Sequence, residues 1–572
     1  MDIDQDGLPY SRGHDMKSLT EARNELLQAF ESTSISQLAR IRSGIKLFWL
    51  LADAFGLDDA AEMIIKTVRI FPRIIPHRIP QELRETILSE FVSRSSTICS
   101  IVLHAKRPAA EAFEVLECAK RFMADVNFCT HLNNPQLELD HPRLDDRYEA
   151  LQVEISQSED ENPLNTESSG PQKRDPVVVN QDIERIEEKI RGLSGFERYR
   201  LFPDAKRLQN MIAGDAIIAL NTSALGSDAL ILTEQGIKSI PLNNLKYDDA
   251  LKQSAIIKSQ MLLPANEEQK NEEMRSLLRW LWIAAVKPVL AELNFLQPVV
   301  DAKDIPYIWW FTSGILGRAP LHAAGMHDGT EMNCTMDYAV SSYIPSLRAL
   351  DFSARMSNRD PNVPWNKRIL LVSASKSTGE NKSHSSRDEA MDIKRIVGWN
   401  MKPTILMDPH PAKVLAQIHR FRILHFACNA KSMSNNPSAS SFSTNTLPKP
   451  LEAVRIAQLY LVNTQLAYIS SCAFPDDSVG PVVDESINMA STIQQCGVPH
   501  AIGTLWQVQD EFASAMATEF YKNFLGEFDG DVPSHYGKIQ ESLHLSISNL
   551  RKMPRWKDNF LTWAAFIHVG DF

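Results

Sequence analysis

From residue 307 onward, short apolar runs alternate with helical segments, and this alternation constrains the chain more than any other feature. The runs fall at 307–312, 369–373, 423–428, 466–471 and 501–505. Helical spacing fills 387–397, 411–419, 451–459, 485–496 and 510–525. Near-continuous apolar runs of strand length belong to strands buried on both faces, and helices between them supply the crossovers. The predicted architecture is α/β: a mostly parallel sheet covered by helices on both faces. In such sheets functional residues lie just beyond the carboxyl ends of strands.

The 572 residues are too many for one core. Between 18 and 129 apolar residues recur every three or four positions, which predicts helices. Ala39, Ile41, Ile45, Leu47 and Phe48 share one face, and Gly56 stops that helix. The next helix ends near Pro72, and Ala60, Ile64 and Pro72 have tetratricopeptide-like spacing. A second helix pair is expected at 81–104 and 108–129. The same pattern also suits a generic helical bundle; stacked helix pairs would present a groove to a protein or peptide partner. The expected organisation is a helical tetratricopeptide-like domain over 15–155 and a flexible linker over 156–180, rich in Ser, Asn, Asp and Glu. A helix at 181–193 and a β-meander with strands at 216–221, 229–233 and 237–241 then occupy 181–267. The α/β domain covers 268–572.

Net charge is -11 and no long Lys/Arg block is present, so neither nucleic acid nor membrane is an expected partner. The first thirty residues lack the apolar core of a secretory signal. The most apolar early stretch, 47–56, contains Asp53 and is about half a membrane span in length. Cysteines at 99, 118, 129, 334, 428, 472 and 496 form no C-x-x-C pair and are odd in number. That argues against disulfides and structural zinc and for a reducing, cytoplasmic compartment. With no phosphate loop, dinucleotide fingerprint or G-x-S-x-G elbow, no cofactor is expected.

Two strand ends carry the chemistry: Leu424-His425-Phe426-Ala427-Cys428-Asn429-Ala430 and Ala467-Tyr468-Ile469-Ser470-Ser471-Cys472. Around them stand Pro320-Leu321-His322, Arg387-Asp388-Glu389-Ala390, Gly503-Thr504-Leu505-Trp506 and the closing Trp563-Ala564-Ala565-Phe566-Ile567-His568-Val569-Gly570. In this order the segments resemble the CHAT domain, a branch of the caspase and separase clan of cysteine peptidases. The resemblance is strong from about 268 to 572. It continues weakly upstream, towards fungal members with tetratricopeptide-like N-termini. It implies a caspase-like C-terminal fold.

The resemblance also assigns roles. Cys472 takes the position of the family nucleophile. The family's histidine-glycine pair, which supplies the base and a small residue beside the oxyanion, falls on Asn429 and Ala430. A thiol is only a few per cent ionised at neutral pH and needs an adjacent base. Asparagine has no pKa suited to that work. The expectation is a peptidase homologue with impaired catalysis that acts as a protein-interaction or signalling scaffold. The alternative is an active cysteine endopeptidase using Cys472 with a non-standard base, so whether the chain is an enzyme stays open at this point. His425 reads as a hydrogen-bonded core residue and His500 as a packing residue, while His410 and His419 have no motif behind them. Asp476 and Asp477 are candidates for recognising a basic substrate side chain, or residues of a solvated loop. Asp510 reads as a helix-capping residue.

Overall fold

Helix α1 (Met16–Glu31) opens a helical region that continues through α2 (Gln37–Ala54), α3 (Leu57–Val68), α4 (Gln81–Glu90), α5 (Ser95–His104) and α6 (Ala109–Phe128). The computed structural model describes residues 16–32, 35–74, 79, 81–128, 137, 140–157, 174–194, 196, 197, 199, 209, 212, 215–260, 267–297, 305–329, 333–357, 367–374, 386–398, 400–433, 440–442, 450–457, 459, 461, 463–473, 489–526 and 538–570. The chain divides into two compact units, 1–204 and 205–572.

In the first unit Ser36 caps α2 by accepting the Ala39 amide at 3.1 Å. Ile41, Ile45, Leu47 and Phe48 are buried, as the spacing predicts. Gly56 turns α2 into α3 at φ +133°, a conformation that favours glycine. Ala60, Ile64 and Pro72 are all buried. Helices α7 (Pro142–Gln157) and α8 (Pro176–Arg191) follow. Helix α8 starts inside the stretch 156–180 read from composition as linker, because Asp175 accepts the Val177 amide at 2.9 Å and Pro176 suits a first helical turn. Residues 158–173 lie outside the described residues. The buried Glu187 of α8 accepts from Tyr148 of α7 at 3.1 Å and from Arg191 at 3.3 Å. Val179, Ile183, Ile186 and Ile190 pack on Tyr148 and Leu151.

The second unit opens on the meander β1 (Ala216–Ser223), β2 (Gly226–Thr233) and β3 (Gly236–Pro241). Helices α9 (Tyr247–Gln260) and α10 (Glu267–Leu281) follow. A π-turn at Trp282–Val286 then leads into α11 (Lys287–Glu292). Next come β4 (Tyr307–Thr312), β5 (Val340–Tyr343), α12 (Leu347–Ser357), β6 (Arg368–Ser373), α13 (Ser386–Val397) and β7 (Lys402–Met407). After α14 (Pro411–Leu415) and β8 (Ile423–Lys431), a small hairpin is formed by β9 (Ser441–Phe442) and β10 (Leu451–Glu452). The chain closes with α15 (Ala453–Ala457), β11 (Leu466–Ala473), α16 (Met489–Gln495), β12 (His500–Thr504), α17 (Asp510–Gly526), α18 (Lys538–Leu550), α19 (Phe560–Trp563) and β13 (Phe566–Gly570).

These strands form one sheet. Strands β7, β6, β8, β11 and β12 run parallel as neighbours, and β13 joins β12 antiparallel. Beyond β13 the sheet continues in parallel through β5, β4 and β1 and ends in the antiparallel meander. Helices cover both faces. Tyr521 of α17 and Glu389 of α13 meet His425 on one face. Ala490 of α16 sits on the other, where a Cβ at Gly503 would come within 3.0 Å of it. The mostly parallel sheet sandwiched by helices is the architecture that the alternating runs predict.

Two differences from the sequence reading have physical causes. The segment 451–459 does not start as helix: Leu451 and Glu452 pair with Phe442 and Ser441, and the helix described there is Ala453–Ala457. Strand β7 escapes the apolar-run criterion because it is an edge strand, bonded on one side only, with five of its six residues partly or fully exposed.

Candidate functional site

Strands β8 and β11 are neighbours at the centre of the sheet, and their carboxyl ends bring the proposed catalytic positions together. Ser471 pairs with Asn429, Cys472 with Ala430 and Ala473 with Lys431. Neighbouring strands stand about 4.8 Å apart, so the backbones at 429–430 and 471–472 are in the proximity that a nucleophile and base would need. The ladder is not regular here. Ile469 pairs with Phe426 and Ser471 with Asn429, so β8 places Ala427 and Cys428 against the single residue Ser470. Such bulges are common beside active sites, where they change how a strand end is presented. On its other side Ala430 pairs with Phe442 of the hairpin, and Phe442 stacks on Phe426 with ring centroids 4.1 Å apart. Asn429 is half-buried, whereas Ala430 is fully buried.

One turn of chain upstream lies a buried polar cluster. His425 is fully buried and stacks on Tyr468, its partner in the ladder, with centroids 4.9 Å apart. Its Nε2 lies 2.9 Å from Glu389 Oε1, and its Nδ1 lies 3.3 Å from the Tyr521 hydroxyl. The Ser470 hydroxyl donates to the same Glu389 oxygen and lies 3.3 Å from His425 Nε2. Ser, His and Glu are therefore together, but not in hydrolytic order. A Ser-His-acid triad uses the two ring nitrogens for different partners, serine on one and acid on the other. Here Ser470 and Glu389 meet on Nε2, and burial excludes a substrate.

A sequence profile of the CHAT domain matches residues 275–571, half of the chain. The chain belongs to the CHAT domain family. Among solved structures it is similar to separase in the Saccharomyces cerevisiae separase–securin complex, at 11% identity and TM-score 0.41. That alignment covers 97% of this chain and 52% of the other, so the chain spans about half the length of that separase. It is also similar to the Arg-specific cysteine proteinase gingipain R, at 10% identity and TM-score 0.35, covering 53% of this chain and 75% of that one. A search of curated proteins found no match. At these identities the two structures say nothing of substrate or activity.

Other described histidines of the CHAT region are held in contacts of their own or lie at the far end of the sheet. His500 pairs with Leu466, six residues before Cys472, which is roughly 20 Å along the strand. Its Nδ1 lies 3.1 Å from His568 Nε2, and His568 Nδ1 lies 2.8 Å from Ser342 Oγ. His322 Nδ1 lies 2.9 Å from the Tyr343 hydroxyl. Burial lowers the pKa of His322 and of His500 to about 3 and holds His568 well below its usual range. His419 precedes β8 and so lies at the opposite end of the sheet from Asn429. His410 caps α14, accepting the Ala412 amide at 3.2 Å.

Asp476 and Asp477 lie outside the described residues. Asp510 is the first residue of α17, where it and Glu511 set negative charge at the positive end of the helix dipole. The role of Glu389 was not visible in the sequence. It stands 36 residues from His425 and 81 from Ser470, and no local pattern announces that three such distant residues share one buried oxygen. The described cysteines 99, 118, 334, 428 and 496 are buried and form no disulfide among the described residues. Among the described residues no helix is long and apolar enough to cross a membrane.

Proposed function

We propose that this chain keeps the caspase-like scaffold of its family without the peptidase's general base, and that it works in the cytoplasm by binding other proteins. The observation that carries the reading is the pairing of strand ends: the backbone position beside Ser471 and Cys472 holds Asn429 and Ala430 where a base and a glycine are needed. Asparagine can neither take the thiol proton nor return one to a leaving amine. Among the described imidazoles, His425 is committed to Glu389 and Tyr521, His322, His500 and His568 are buried in hydrogen bonds of their own, His419 precedes β8, and His410 caps α14. The helical first unit is the proposed site for a protein or peptide partner, with stacked tetratricopeptide-like helix pairs supplying the groove. Cys472 is then a remnant nucleophile, and Asp476 and Asp477 are remnant candidates for substrate contact.

The test is cleavage. Incubating the full chain and its Cys472→Ala variant with a peptide library of natural sequence diversity, followed by mass spectrometry, should give identical product profiles. Cleavage at defined sites by the unmodified chain, absent from Cys472→Ala, would establish the active endopeptidase instead.

A further inference from the structure

The amino end of the central sheet carries an alignment of cations that the site at its carboxyl end does not explain. Lys402 of β7 and Arg368 of β6 are direct partners in the ladder, and the Lys402 amide donates to the Lys367 carbonyl at 2.6 Å. On the other side of β6, Ile369 pairs with Ile423, and the Arg422 amide donates to the Arg368 carbonyl at 3.1 Å. Lys402, Arg368 and Arg422 thus succeed one another across three neighbouring strands, with Lys367 and Arg420 next to them in sequence. Like charges set side by side on adjacent strands repel. Among the described residues Lys367, Arg368 and Lys402 form no ion pair.

The row is also held in place. The Arg368 guanidinium lies 4.9 Å over the ring of buried Phe421, a cation–π contact that holds it at this end of the sheet. Lys367, Lys402 and Arg420 are exposed, while Arg368 and Arg422 are half-buried. Burial brings the Arg422 pKa down to about 10, so it still carries its charge at neutral pH.

We infer that this end of the sheet is a docking surface for a short anionic segment of a protein partner, with carboxylates or phosphoryl groups meeting Lys367, Arg368 and Lys402. The chain as a whole carries a net charge of -11, which disfavours an extended polyanion such as a DNA duplex or an anionic membrane plane. A short segment avoids this, because exposed charges beyond about 8 Å are largely screened at physiological salt. The surface lies at the amino ends of the strands, away from the carboxyl ends of β8 and β11.

Fluorescence anisotropy of the full chain tests this with three labelled probes of equal length: hexaglutamate, the same peptide with two phosphoserines, and hexaglutamine. The expected result is saturable binding of the anionic peptides, none of hexaglutamine, and a loss of at least tenfold in affinity with Lys367→Gln/Lys402→Gln. Both substituted side chains are exposed, so the fold tolerates the change. Lys238→Gln, which removes a cation paired with Glu292 at 2.6 Å, should leave binding unchanged. Tighter binding of the phosphoserine peptide would name a phosphorylated source, and equal binding an acidic one; both support the surface. Absence of saturable binding, or binding unaffected by the double substitution, would overturn it. So would tighter capture of a 20-base-pair duplex or of phosphatidylserine vesicles through the same lysines.

Discussion

Glu389 Oε1 lies 2.9 Å from His425 Nε2, and the same oxygen accepts the Ser470 hydroxyl. One carboxylate therefore joins α13 to both strands that end at the candidate site, and it holds the His425 ring nitrogen in a buried hydrogen bond. Removing the carboxylate should cost stability rather than create activity. Glu389→Ala leaves the Ser470 hydroxyl and a His425 nitrogen without their buried acceptor, at about 1–3 kcal/mol each. The CHAT unit should lose roughly 2–5 kcal/mol in calorimetric unfolding. Glu389→Gln, which keeps an acceptor oxygen, should lose less than half of that. Equal losses for the two variants would mean that packing volume, not hydrogen bonding, is what Glu389 supplies.

Acid should weaken the CHAT unit through its buried neutral histidines. His322 and His500 have folded pKa values of about 3 and His544 of about 4, all lowered chiefly by burial. Unfolded histidine titrates near 6.5, so below that pH the unfolded chain binds protons that the folded chain refuses. Stability is full above about pH 6.5 and falls as pH drops towards 3–4, by up to about 1.4 kcal/mol per pH unit for each histidine. Asp215, raised to about 6 by burial, acts in the opposite sense between about pH 4 and 6, as one group against three. Denaturant midpoints at pH 7.5 and 5.5 should therefore differ, with the lower pH less stable. Equal midpoints would show that these rings are hydrated or paired.

The hairpin beyond β8 should depend on one ring. Phe442 is fully buried and stacked on Phe426, while the rest of the hairpin's described strands is Ser441, Leu451 and Glu452. Phe442→Ala should destabilise the unit by about 3–5 kcal/mol and speed hydrogen exchange around Ala430. Unchanged exchange there would mean that β9 contributes nothing to holding that strand end.

How much of this was legible in the sequence follows from where each signal is stored. Strands β4, β6, β8, β11 and β12 were readable because burial on both faces turns them into apolar runs. Helices α13 and α17 were readable from their amphipathic spacing. Strand β7 was not, since an edge strand keeps polar residues such as Lys402 and Thr404. The hairpin was not readable either, since its second strand leads directly from Leu451 and Glu452 into α15 and so takes on a helical pattern. Ordered motifs put 429, 430 and 472 at strand ends, and the ladder pairs those ends as neighbours. The bulge opposite Ser470 and the Glu389–His425–Ser470 cluster were not readable, since both depend on contacts between residues far apart in sequence.

The central claim is that position 429 lacks a base for Cys472. It is tested most directly by the rate at which a peptidyl acyloxymethyl ketone labels Cys472 at neutral pH, read by mass spectrometry. The comparison is between the unmodified chain, Cys472→Ala and Asn429→His/Ala430→Gly. General acid–base assistance is worth about 10²–10⁴ in rate, so the double substitution should raise labelling at least tenfold over a slow unmodified chain. Rapid stoichiometric labelling of the unmodified chain, lost in Cys472→Ala and not raised by Asn429→His/Ala430→Gly, would contradict it.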